Sequence, residues 1–161
     1  MQRIMPCLWF DGRAEEAMEF YTSVFKGSKA GKITHYGEAG PGKPGSVMTV
    51  AFEIEGMEFM GINGGPQFQF SEAVSFMISC KDQEEVDYYW DRLTADGGKE
   101  GQCGWLSDRF GLAWQVVPEG MDEVFSDPDP AKAERSMAAM MKMKKLDIAE
   151  LRAAAEGVPA G

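Results

Sequence analysis

The sequence predicts an α+β fold built from two βαβββ modules in tandem, followed by C-terminal helices. Three observations lead there. The phrase AEEAMEFY at 14–21 returns as QEEVDYYW at 83–90, an offset of 69 residues. Each copy follows an apolar run and precedes β-leaning segments punctuated by glycine. The segment 127–161 then turns to Ala, Met, Lys and Glu, a helical composition that neither module shares.

The register of the repeat carries the duplication. Glu15 falls on Glu84, Glu16 on Glu85, Ala17 on Val86, Phe20 on Tyr89, Tyr21 on Trp90 and Val24 on Leu93, so apolar matches apolar along one helical stripe. In the first module, Met5–Phe10 reads as a strand and Asp11-Gly12 as a turn. A helix runs over 14–25, with Ala14, Ala17, Met18, Tyr21 and Val24 or Phe25 at helical spacing and Gly27 as its stop. A short strand follows at 32–36. The loop GEAGPGKPG (37–45) has too much glycine and proline for a regular element. Val47–Glu55 alternates as a strand, Gly56 turns the chain, and Met57–Ile62 is the next strand, with 63–73 as connector.

The second module repeats the order. Val74–Cys80 is a strand, and Asp82–Leu93 a helix with Asp82 and Glu85 at capping-box spacing. Gly97-Gly98 ends it. Strands follow near 101–107 and 112–117, around a turn at 108–111. DPDP (127–130) opens a helix over 131–146, and a second runs over 147–157. The modules span about 1–65 and 74–120 of a domain ending near 126, and 127–161 is a helical tail. A Met-rich amphipathic tail after two complete modules suits a subunit interface, so the expectation is a homodimer with these helices at the contact.

A chain of 161 residues, 44% hydrophobic and 26% charged, has the composition of an ordinary globular protein. Its net charge of −10 argues against a nucleic-acid partner, which needs Lys and Arg gathered on one face. No run approaches the roughly 20 apolar residues of a membrane span, and MQRIMPCLWFDG does not read as a secretion signal. Cys7, Cys80 and Cys103 are an odd number at wide spacings, which gives neither a disulfide framework nor a zinc pattern. The expected setting is the cytoplasm.

The phrases PCLWFDGRAEEAMEFY, GGPQFQFSEAVSF, DYYWDRL, CGWLSDRFGLAWQVVP and KMKKLDIAELRAA resemble the PhnB-like branch of the vicinal oxygen chelate superfamily. Members of that branch often carry the name 3-demethylubiquinone-9 3-methyltransferase domain. The superfamily includes glyoxalase I, extradiol dioxygenases and bleomycin-resistance proteins. The resemblance implies that each module curls its sheet into a cup and that two cups face a shared cavity. It implies a metal in some members, held by a His or Glu near the start of each module's first strand and a Glu four residues past each hairpin glycine. Carried across, those positions are Pro6, Ser75, Met60 and Gln115. A proline, a serine, a thioether and one amide do not hold a hard divalent ion, so no cofactor is expected.

If those four positions face the cups, alternation turns Leu8, Ile62, Met77, Ala113 and Val117 inward with them, and Trp9, Phe59, Phe76, Ile78 and Trp114 toward the helices. The expected ligand-binding residues are Leu8, Met60, Ser75, Met77, Trp105 and Gln115, an apolar pocket with two polar points. Three side chains are weaker catalytic candidates. Cys103 is a thiol with no histidine near it in sequence. His35 could serve as a base at the pocket mouth. Glu53, if turned inward, would be desolvated in a way that suits proton abstraction.

The methyltransferase name finds no support in the residues. GINGG (61–65) follows a strand, but Pro66 and QFQF continue it without the helix that a common S-adenosylmethionine site needs. The leading reading is a metal-free protein binding a small organic ligand, with or without a reaction. A metal-dependent glyoxalase- or dioxygenase-like enzyme using His35, Glu53 and Gln115 is an alternative. A drug- or metabolite-sequestering resistance protein is another.

Overall fold

The computed structural model describes residues 2–158. The chain divides into two compact units, one ending at Phe70 and the other beginning at Ser71. In the first unit the order is β1 (Cys7–Phe10), α1 (Ala14–Val24), β2 (Ser28–His35), β3 (Val47–Ile54) and β4 (Met57–Asn63). Its sheet runs β1-β4-β3-β2, with β1 parallel to β4 and the other pairs antiparallel. The second unit repeats this with β5 (Ser75–Cys80), α2 (Gln83–Thr94), β6 (Lys99–Glu100), β7 (Trp105–Ser107) and β8 (Ala113–Pro118), in the order β5-β8-β7-β6. It then adds α3 (Met121–Phe125), α4 (Pro130–Met140) and α5 (Ile148–Ala155).

The duplicated phrase makes duplicated cores. Ala17, Tyr21 and Val24 bury one stripe of α1, and Val86, Trp90 and Leu93 bury the matching stripe of α2. Tyr21 stacks on Phe52 at 5.9 Å, and Phe52 on its cross-strand partner Phe59 at 5.4 Å. In α2 the equivalent indole of Trp90 also donates to Glu100 Oε1 at 2.8 Å. Fully burying side chains of this size stabilises by about 1.5–3 kcal/mol each, which makes these stripes the main hold of each helix on its sheet.

The helix starts differ in how they are capped. Asp82 accepts from Glu85 N at 2.9 Å, while the Glu85 carboxylate reaches back to Lys81 N at 2.8 Å, so the capping-box spacing is used one residue further back. No side chain of its own flank caps α1. Its Ala14 N–H instead donates to Asn63 Oδ1 at 2.9 Å, from the end of β4.

Three expectations of element bounds need correction. First, β2 begins at Ser28, not Lys32, and bulges against β3 between Ala30 and Ile33. Second, the region 101–107 is mostly turn. Its strand is only Trp105–Ser107, and the two-residue β6 completes the sheet. Third, the tail helix stops at Met140, after which 141–147 runs as a non-helical strap to α5. The carbonyls of Met143 and Lys144 accept from Cys103 N (2.9 Å) and Gly104 N (2.8 Å), which draws them away from a helical ladder.

Part of the tail's apolar surface packs within the second unit. Leu146 and Leu151 form a buried cluster with Met121, flanked by Val117, Phe125, Met140 and Met143. The Gln83 amide clasps the strap, donating to Leu146 O (3.0 Å) and accepting from Ile148 N (2.9 Å). Met137 and Met141 of the tail stay exposed outside this cluster.

Candidate functional site

Buried Asp108 sets up the open face of the second sheet. Its Oδ1 accepts from Phe110 N (2.9 Å) and Leu112 N (3.1 Å), and its Oδ2 accepts from the Trp114 indole (2.9 Å). These bonds close the turn between β7 and β8 and fix the alternation of β8. Trp114 and Val116 are buried on the α2 side, so Gln115 lies on the other face. Gln115 is the register partner of Met77 in β5 and of Trp105 in β7. Its Nε2 donates to Ser75 Oγ at 2.9 Å. Ser75, Met77, Trp105 and Gln115 thus share one face, with Met77 66% exposed. The hydrogen bond leaves Gln115 Oε1 as an acceptor and the Ser75 hydroxyl as a donor for a bound molecule.

Trp105 also walls a groove of about 540 Å³ at the β6–β7 edge, together with Ser107, Lys99, Gln102 and Glu72. Sequence reading did not single out these last four. Ser107 was recoverable, because alternation along β7 puts it beside Trp105. Lys99 was hidden by the shortness of β6, which has only two residues and no readable period.

In the first unit the face opposite α1 carries Met60 and Ile62, whose register partners in β1 are Cys7 and Trp9. Leu8 pairs with Gly61 and is 6% exposed, on the side where Gly61 approaches Phe10 and Ala14. The faces expected of Leu8 and Trp9 are therefore exchanged, and Pro6 is not opposite Met60. β1 has only four residues, and pairing with β4 sets its phase, not its own pattern. The Trp9 indole does not pack on α1 either. It donates to Gly65 O at 2.9 Å and meets Phe68 edge to face at 4.8 Å.

The weaker catalytic candidates are not gathered at one place. Glu53 shares the Met60 face, but its carboxylate pairs with Lys29 at 3.2 Å. His35 is exposed at the end of β2. Cys103 sits in the turn before β7 with φ of 57°, its sulfur 3.8 Å from Met141 Sδ. Among the described residues no three His, Cys, Asp or Glu side chains converge as a metal site. Within the first unit Met60 and Cys7 offer a thioether and a thiol beside the Lys29-paired Glu53, and within the second Ser75 and Gln115 offer a hydroxyl and an amide. Neither set by itself fits a hard divalent ion that favours several carboxylates or imidazoles.

The family model described as 3-demethylubiquinone-9 3-methyltransferase matches residues 2–117. The chain belongs to that family. α3, α4 and α5 lie beyond the matched segment. A PhnB protein from Bacillus cereus that carries the same methyltransferase name is 37% identical. That match covers 73% of this chain and 99% of the other, with a TM-score of 0.66. A Pseudomonas aeruginosa protein is 20% identical over 74% of this chain and 98% of its own, with a TM-score of 0.61. The fosfomycin resistance protein FosX from Listeria monocytogenes, solved with Mn(II) and sulfate, is 15% identical over 76% of this chain and 93% of its own, with a TM-score of 0.52. These last two speak to the fold, which is that of the vicinal oxygen chelate superfamily. No curated protein sequence matches the chain.

Proposed function

We propose that this PhnB-like family member binds a small, partly apolar organic molecule on the open face of its second sheet, without the divalent metal of its superfamily. The observation that carries the reading is the Gln115–Ser75 hydrogen bond beside the Trp105-walled groove. It supplies an aromatic wall for stacking, one acceptor and one donor for orientation, and thioether surface at Met77 for apolar contact. A groove of about 540 Å³ is of a size for a metabolite, not a polymer. The residues named supply no nucleophile–base pair, so binding is the primary act and sequestration of the ligand is its simplest use. The cysteines, all free thiols, suit a cytoplasmic setting.

The test pairs metal content with thermal shifts. Protein purified without chelator is assayed for metal, then scanned with Zn²⁺, Ni²⁺, Mn²⁺ and Fe²⁺ and with a panel of small aromatic acids and phenols. A ligand that binds only the folded state stabilises by about 2.7 kcal/mol at a hundred times its Kd. The expected result is no metal and no metal shift, with an aromatic compound raising Tm in the wild type but not in Trp105→Ala. Stoichiometric bound metal would overturn the metal-free reading and move the function to a metal-dependent lyase, isomerase or dioxygenase. An aromatic ligand that stabilises Trp105→Ala as well as wild type would displace the site.

A further inference from the structure

Outside the groove, the second unit brings two sulfur atoms into contact, Cys103 Sγ and Met141 Sδ. Cys103 occupies a left-handed turn position, and the strap lies against it. Cys103 N and Gly104 N donate to Met143 O and Lys144 O at 2.9 and 2.8 Å. These main-chain bonds bridge forty residues of sequence and hold Cys103 Sγ 3.8 Å from Met141 Sδ. Met141 is at the end of α4, and its N–H donates to Met137 O at 3.0 Å. That i,i+4 step places the Met137 thioether on the same helical face, one turn earlier. Met137 and Met141 are 41% and 61% exposed, outside the adjacent Leu146–Leu151 core and open to an incoming ion.

One thiol and two thioethers are the donor set of a soft, low-valent metal ion. The spacing fits as well. With metal–sulfur bonds of about 2.3 Å, two sulfurs of a planar three-coordinate site lie about 4 Å apart, close to the separation already present. Hard ions have no reason to stop here, since no carboxylate or imidazole joins the set.

We propose that Cys103, Met141 and Met137 form a binding site for a soft monovalent cation, Cu(I) or its redox-inert analogue Ag(I). Binding exchanges the Cys103 thiol proton for the metal: the S–H bond breaks, a sulfur–metal bond forms, and one proton leaves to solvent. The main-chain bonds of the strap hold the first two ligands in place before the ion arrives, so little ordering accompanies capture.

The full chain is titrated anaerobically with Ag(I), and with Cu(I) against a colorimetric chelator, in weak buffer so that proton release is read alongside. One equivalent bound with one proton released is the expected result. Met141→Leu keeps an apolar side chain of similar volume and should weaken affinity at least tenfold, Met137→Leu by a smaller factor, and Cys103→Ala should abolish the tight site. Cys7→Ser, at the exposed thiol of the first unit, should change nothing. Unaltered affinity in Met141→Leu, or loss of binding in Cys7→Ser, would mean adventitious thiol capture only and would overturn the site. Were Cys103→Ala to misfold by circular dichroism, the two Met→Leu variants would decide the matter alone.

Discussion

Cys80 lies wholly buried at the end of β5, and burial, then the carboxylates of Glu85, Asp82 and Glu119, push its thiol from an ordinary 9.0 up to about 12. The folded chain therefore keeps a proton that the unfolded chain releases above pH 9, so the sign is fixed. The contribution is complete below pH 9.0 and is lost as pH climbs toward about 12. Urea midpoints of the wild type should fall across that window, and Cys80→Ala should flatten the fall even if it is less stable at neutral pH. Equal slopes for the two proteins would refute it. Ser136 poses the opposite case, a fully buried hydroxyl with no hydrogen-bond partner. Ser136→Ala should raise unfolding stability by about 1 kcal/mol, the lower end of what a stranded polar group costs. At this scale legibility depended on how local the cause was. The Asp82 cap was readable because donor and acceptor sit three residues apart. The face of Leu8 was not, because β4, some fifty residues on, sets it.

At the level of elements, the tail shows where local preference gave way. AKAERSMAAMMKMKKL has high helix propensity throughout, yet α4 ends at Met140 because tertiary hydrogen bonds take the next carbonyls. Nothing in the segment itself announces that exchange. Gln83 secures the result with three bonds, to Leu146 O, Ile148 N and Asp87 Oδ1. Gln83→Ala leaves a part-buried carbonyl and N–H without partners and should cost about 1–3 kcal/mol. The loss should concentrate in the tail, read as faster amide exchange over 141–155 with α1 unaffected. The pair Asp87–Lys145 (2.9 Å) adds a pH dependence. The hydrogen bond from Gln83, then that from Lys145, lowers the Asp87 pKa below 3.8. Its stabilising share is present above 3.8 and lost as pH falls through the lowered value. Protection factors of the tail amides, which are corrected for the intrinsic exchange rate, should fall as pH drops through the lowered Asp87 value in the wild type and show less acid sensitivity in Asp87→Asn.

For the molecule as a whole, the duplication was the most legible feature, since the offset of 69 aligned apolar positions that both units bury. The open-face residues of the second unit followed from strand alternation once that frame was set, whereas the groove beside them depended on a two-residue strand with no signature. The two-unit reading has a thermodynamic consequence. Val24 and Leu93 are equivalent under the repeat, both fully buried, and each belongs to a helix that packs on its own sheet. Leu93→Ala removes three carbon atoms from a sealed site and should cost about 2–5 kcal/mol. Val24→Ala removes two and should cost less. Each lies in the core of its own unit, so their effects should add to within about 0.5 kcal/mol in the double variant. Urea unfolding of the wild type, both single variants and the double variant, followed by tryptophan fluorescence and circular dichroism, measures the sum. A double variant more than 1 kcal/mol away from additivity would mean that the two cores are energetically one, and that the repeated helix is a shared support rather than two independent ones.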